Sequence, residues 1–357
     1  MIKKAVLTSI AFAISLRPAS FSTWRRGWLT AGAAMLAVTA TLHNALAQDK
    51  AAFLLPGSIN DQSWNAQGYQ GVEKLKSIGW DVAYAENVQA ADMVESMRDY
   101  ARRKYNVVVG HSGRFLSAAQ RVAPDFPNTL FIVGSGAAGS GANVASIEYD
   151  NTQFGYLLGV LAARMSKTGK IGAVSSLEGL PTIVAQIGAF RKGARSVRPG
   201  IEVTVIYIQS MEDPAAAKEA ALSLIAGGAN VISGKLNAGQ AGIIQAAKEK
   251  GVFATGRSFG HTLIAPENVL TNVIEQWADM YVTAIQQSKT TTLGGKYMIY
   301  GLNSLGSTGA DLRHSREREF NAVVPAEVVA EVEALKKKFA SGELKIIVTR
   351  EDARGGT

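Results

Sequence analysis

Short apolar runs alternate along the chain with segments whose apolar residues recur about every 3.6 positions, and few folds accommodate such an alternation. The runs at 51–55, 107–110, 130–133, 170–174, 201–208, 231–233 and 252–255 predict strands. The spacing predicts helices at 68–78, 93–105, 154–165, 183–197, 213–226 and 241–250. Continuous apolar strands, each followed by a helix, mean parallel sheets covered on both faces. The length fits two such units, the first running to about Asp150 and the second opening with the helix that follows it. Beyond them, Pro325 introduces an amphipathic helix over 326–339, 344–348 reads as a late edge strand, and 351–357 is expected to be disordered.

Ahead of the first strand lies a different kind of sequence. Lys3, Lys4, Arg17, Arg25 and Arg26 precede any acidic residue, and the first acid is Asp49. Arg25-Arg26 stands just before the apolar run 31–40, as in a twin-arginine export signal. Ala45-Leu46-Ala47 reads as a cleavage site, so residues 1–47 are assigned as an export signal. The apolar stretch 29–42 is too short for a membrane span of about 20 residues.

Five of the 37 Lys and Arg residues lie in this leader, and the remaining 32 against 29 acidic residues lower the net charge from +8 to +3. So small a surplus, with no basic stripe interleaved with aromatics, does not support a nucleic-acid partner, and none is expected. There is no cysteine, which excludes disulfides, thiolate metal sites and a lipidated N-terminus. The expected product is a soluble periplasmic monomer.

In open α/β sheets ligands sit beyond the carboxyl ends of the strands. Asn60-Asp61-Gln62-Ser63-Trp64-Asn65 follows the first strand, and either Asp61 or Ser63 fits a helix cap there. Trp64 either closes the core or stacks on a heteroaromatic ligand. His111 follows the run 107–110 directly, where an imidazole can donate or accept. Asp213 before Pro214 is the expected helix cap, and Met211 just upstream offers an adaptable thioether. Lys235, Asn237 and Arg257 place polar or cationic groups after later strands, where they serve either a ligand or solvent.

Four histidines, and no H-E-x-x-H, G-x-S-x-G, Walker or clustered-acid motif, argue against an enzyme, a metal site or a cofactor.

Several segments together resemble the basic membrane protein family of ABC-transporter substrate-binding proteins, which includes purine-nucleoside receptors and purine-binding periplasmic proteins. They are Asn60 to Asn65, Asn143-Val144-Ala145-Ser146-Ile147, Gly155 to Ala163 followed by Lys167-Thr168-Gly169-Lys170-Ile171-Gly172, Gly188 to Ala194, and Pro266 to Asn272. The resemblance implies a type I periplasmic binding protein, whose two lobes are joined by three crossovers and close on a ligand. The lobes would comprise 48–152 with about 276–297, and about 153–275 with 298–325, leaving 326–357 as a C-terminal helix and tail. It also implies a purine-like ligand and an ABC permease complex in the inner membrane as partner. Trp64 stands where the family stacks a ring on the base, with Asn65 beside it for a hydrogen bond. Met211 stands where relatives carry a second aromatic. Nucleoside receptors tend to carry acids where Leu55-Pro56 and Arg257-Ser258 stand here, which disfavours ribose. A free base, or a more acidic oxidised purine drawn by Lys235 and Arg257, fits better. A nucleoside binder of the same family, a ligand-sensing module that docks to a membrane receptor and, remotely, an exported nucleoside hydrolase are the alternatives.

Overall fold

The computed structural model describes residues 48–60 and 64–355, so the leader lies outside the described residues. In chain order the elements are β1 (Lys50–Leu54), α1 (Trp64–Ser77), β2 (Asp81–Ala85), α2 (Met93–Arg102), β3 (Val107–Gly110), α3 (Leu116–Val122), β4 (Leu130–Gly134) and β5 (Val144–Tyr149). Then follow α4 (Asn151–Met165), β6 (Lys170–Ser176), α5 (Pro181–Val197), β7 (Glu202–Ile208), α6 (Pro214–Ala226), β8 (Val231–Gly234), α7 (Gln240–Lys250), β9 (Phe253–Gly256), α8 (Phe259–Ile264) and β10 (Val269–Glu275). The chain closes with α9 (Trp277–Ser288), β11 (Tyr297–Tyr300), β12 (Ala310–Arg313), α10 (Ala326–Ser341) and α11 (Arg350–Arg354).

Two six-stranded sheets result, ordered β11-β5-β4-β3-β1-β2 and β12-β10-β9-β8-β6-β7. Every pairing in the first is parallel. In the second only β12 runs antiparallel, beside β10. The chain passes from one sheet to the other three times, after Tyr149, after Glu275 and after Tyr300. The third passage leaves β11, and with it residues 298–300, in the first sheet. Within each sheet the winding reverses beside the first strand, between β1 and β3 and again between β6 and β8. Such reversals open a crevice at the strands' carboxyl ends.

Period-two alternation sorts side chains onto the two faces of each sheet. Ala52 and Leu54 join Met97, Phe115 and Val122 on one face of the first sheet, while Phe53 on the other meets Val72 and Tyr281. In the second sheet Val174 and Ile232 pack with Leu224 and Ile243, and Ile171 and Ala173 lie on the opposite face with Phe190 and Leu157. Burying each of the Val, Leu, Ile, Phe and Met side chains among them contributes about 1.5–3 kcal/mol.

Helices α4 and α5 approach closely because of the glycines in the family-like segments. A Cβ on Gly155 would lie 2.5 Å from the Gln186 carbonyl oxygen, and one on Gly159 would lie 2.1 Å from that of Phe190. Gly134 has a similar explanation, since a Cβ there would meet the Tyr281 hydroxyl at 2.0 Å.

The tail departs from expectation twice. Residues 344–348 pair with no strand, and 350–354 form a helix instead of a disordered end. Thr349 and Asp352 cap that helix reciprocally. The buried Arg191 guanidinium on α5 donates to the carbonyl oxygens of Ala353 (3.2 Å) and Val203, and Lys192 pairs with Asp352 at 3.1 Å. A charged anchor that is invisible to local propensity therefore orders the segment through Gly355.

Candidate functional site

Residues that end strands or open helices converge from both sheets on the interlobe crevice. After β1 the chain turns so that Asn65 Oδ1 accepts from the Gly57 amide (3.0 Å) and Glu86 accepts from that of Ile59 (2.8 Å). Asp61 lies outside the described residues. Trp64 opens α1 and is half-buried, with its Nε1–H donating to the His111 carbonyl oxygen at 2.9 Å. Its ring lies on the His111 imidazole, 4.1 Å between centroids and 18° from parallel.

His111 is fully buried behind that indole. Its Nε2 lies 2.8 Å from the Trp64 carbonyl oxygen and its Nδ1 lies 2.7 Å from the Tyr281 hydroxyl. A carbonyl only accepts, so Nε2 carries the hydrogen, and in the neutral ring Nδ1 accepts from Tyr281. Trp277, first residue of α9, meets Trp64 edge-on at 4.9 Å and 76°. Sequence reading missed Trp277 and Tyr281 because they stand some 170 residues from His111 and carry no local motif.

On the second lobe Met211 is half-buried, and its carbonyl oxygen accepts from the amides of Asn237 (3.0 Å) and Gly239 (2.9 Å). Asp213 is exposed and caps α6 through Ala215 and Ala216, both at 3.0 Å. Its carboxylate is therefore explained without a ligand. Glu212 holds the Asn237 side-chain amide and the Ala238 backbone amide.

Lys235 and Arg257 sit directly after β8 and β9, and each reaches a crossover. The Lys235 ammonium donates to the Tyr149 hydroxyl (2.9 Å) and to Asn151 Oδ1, and lies 4.6 Å from the Tyr149 ring centroid. Arg257 pairs with Glu275 and donates to the Leu236 carbonyl and Asn237 Oδ1. The other Glu275 oxygen accepts from Trp277 Nε1 at 2.7 Å. Glu148 accepts from the Ser135 hydroxyl at 2.8 Å. The charges gathered near the crevice thus include two buried acids, Glu148 and Glu275, the buried Lys235 and the half-buried Arg257.

Burial governs how these groups titrate. It lowers the Lys235 ammonium to about 8, with Glu148 opposing. It raises the Glu148 carboxyl, again opposed by Lys235. For Glu275, burial pushes upward but Arg257 and then Lys235 outweigh it, so the carboxylate is held below its ordinary range. Among the described residues no cluster of histidine and acidic side chains forms a metal site, and no helix is long and apolar enough to cross a membrane.

The sequence profile described as "ABC transporter substrate-binding protein PnrA-like" matches residues 48–347. A transcriptional activator protein of Bacillus subtilis is 28% identical over 258 residues, covering 72% of this chain and 80% of that one. A purine-binding protein of Brucella abortus is 30% identical over 237 residues, covering 65% and 67%. A solute-binding protein of an ABC transporter system from Conexibacter woesei superposes with a TM-score of 0.67 at 27% identity, covering 84% of this chain and 99% of that chain. Two α/β lobes joined by three crossovers, with strand ends converging between them, accord with that likeness. The chain belongs to the PnrA-like basic membrane protein family of ABC-transporter substrate-binding proteins, which are binding proteins rather than enzymes.

Proposed function

We propose that this protein captures a purine base, or a heteroaromatic ligand of similar shape, between its lobes and delivers it to an ABC permease in the inner membrane. In this reading the chain is exported, cleaved near Ala47 and acts as a soluble periplasmic monomer. The observation that carries the reading is the state of Trp64. Its only polar hydrogen is engaged by His111, so it offers a ligand a rigidly backed aromatic surface and no hydrogen bond. Such a surface favours a flat π-system. Met211 supplies a polarisable counterpart on the other lobe. Asn65 and Asn237, whose amides bond to Gly57 and to Glu212 and Arg257 here, are the side chains that would read the ligand's edge by exchanging those bonds.

The charge balance refines the ligand. Arg257 is paired with Glu275, and Lys235 is enclosed by Tyr149 and Asn151. With Lys235 and Arg257 already matched by the buried acids Glu148 and Glu275, a neutral base is favoured over an acidic oxidised purine. The 30% identity to a protein named as purine-binding supports the same choice. A second reading, a ligand-sensing module, draws on the similar protein named as a transcriptional activator, and it uses the same cleft.

Mass spectrometry of whatever copurifies with the mature protein names the ligand directly. Thermal-shift measurements against bases, nucleosides, sugars and amino acids provide the comparison. Stabilisation by a base is expected; stabilisation by a sugar or amino acid with no purine effect overturns the assignment.

A further inference from the structure

Glu275 ends β10 in the second sheet and lies two residues before Trp277, which opens α9 against the first lobe. It therefore occupies the second crossover. Both carboxylate oxygens are engaged, one by the Arg257 guanidinium and the other by Trp277 Nε1–H at 2.7 Å. Its side chain is 2% exposed and that of Arg257 15%. Trp277 is itself almost fully buried and sets its edge against Trp64. Arg257 also donates to the Leu236 carbonyl oxygen and to Asn237, so it gathers the loops that follow β8 and β9. A continuous set of contacts thus runs from the second lobe's loops through one carboxylate to the aromatic wall of the first.

We infer that Glu275 is a positioning residue for ligand binding: it touches no ligand, but fixes the Trp277 indole that braces Trp64 and ties that brace to the Arg257 loops. Two features support this over simple burial of an ion pair. An ion pair requires only one acceptor contact, whereas here the second oxygen is spent on an indole hydrogen. The indole so held meets Trp64, a ring that is itself fixed by a hydrogen bond from its own nitrogen. Removing the carboxylate frees Trp277 to rotate and loosens Trp64.

The inference rests on the stacking role of Trp64 proposed above, so its test includes an arm that needs no ligand. Two indoles edge-to-face at this distance produce an exciton couplet in far-ultraviolet circular dichroism. Wild-type mature protein is expected to show that couplet, and W64F and W277F each to abolish it. Glu275→Leu alone strands a buried guanidinium, so the informative variant is the R257M/E275L double replacement, with E275Q as a second. E275Q keeps one acceptor oxygen and can serve Trp277 or Arg257 but not both. The double variant is expected to melt cooperatively, to lose most of the couplet and to bind adenine about tenfold more weakly, within the range that base-stacking residues contribute. E275Q is expected to fall between it and wild type. A merely structural ion pair would lower the melting temperature and leave the couplet intact. A full couplet in both folded variants overturns the inference, whatever adenine does. Failure of wild type to bind adenine counts against the purine reading alone and leaves the couplet to decide.

Discussion

The Trp64 indole rests on a histidine that is wholly removed from solvent, and the two residues exchange hydrogen bonds through each other's main-chain carbonyls at 2.9 and 2.8 Å. Neither ring can turn without breaking a bond to the other. Gly68 makes this possible, since a Cβ there would lie 2.5 Å from the imidazole.

Replacing Trp64 with alanine is expected to weaken binding of the best base by about 1–3 kcal/mol, measured by isothermal titration. His111→Leu tests the support rather than the surface. It keeps the volume but leaves the Tyr281 hydroxyl and the Trp64 carbonyl without their imidazole partner, and should cost about 1–3 kcal/mol of fold stability in urea. Unchanged affinity in a folded W64A protein would return Trp64 to core packing.

Acid sensitivity is expected to come in part from His261. Its Nδ1 accepts from the amides of Arg257 (2.9 Å) and Ser258 (3.1 Å), which requires the ring to stay neutral. Burial, with Arg257 adding to it, lowers the imidazole from 6.5 to about 4. The unfolded chain then binds more protons than the folded one between those values, so this stabilisation is present above 6.5 and is lost as pH falls towards 4. Denaturant midpoints of wild type and H261N across that window should converge as the pH drops.

Gly159→Ala drives a methyl group into the Phe190 carbonyl, where backbone rather than a flexible side chain must give way. A loss of about 2 kcal/mol is expected after the gain in helix propensity is counted. Gly200→Ala is the control, because a Cβ there meets nothing within 4 Å, and its denaturation midpoint should match wild type.

Arg191→Met keeps the stem of the side chain and removes the donors to Ala353 and Val203. Amide exchange over residues 350–355 should accelerate while the strands of the second sheet keep their protection. Unchanged exchange would show that apolar contact alone seats the tail.

The strands that sequence reading found and those it missed differ chemically. Val107–Gly110 and Val231–Gly234 are short apolar runs and are plain in the sequence. Val144–Tyr149 and Val269–Glu275 are fully or almost fully buried yet carry Ser146 and Glu148, and Thr271, Asn272 and Glu275. Those polar residues mask the apolar signal, and they are present because these strands feed the crossovers. Asp81–Ala85 lies at a sheet edge with Asp81 and Tyr84 exposed and only Val82 buried, so neither an apolar run nor a clean alternation marks it. The candidate site shows the same division. The places of Trp64 at a helix start and His111 after a strand were legible, as was the cap role of Asp213, which removes that residue from the site. The partners of Lys235 and Arg257 were not, since Tyr149, Asn151 and Glu275 come from distant segments. A cation after a strand looks available until its counter-group is placed.

The third passage between sheets also bears on assembly of the chain. Tyr297–Tyr300 pairs with β5, and Ala310–Arg313 pairs with β10. The first lobe therefore waits for an edge strand made about 150 residues after its neighbour, and the second cannot be finished until still later. Closing so long a loop costs entropy before the pairing repays it. Neither half can be a fully formed folding unit on its own, so the lobes should reach their native state together, late and slowly, and a fragment ending near residue 290 should expose two unpaired sheet edges to aggregation.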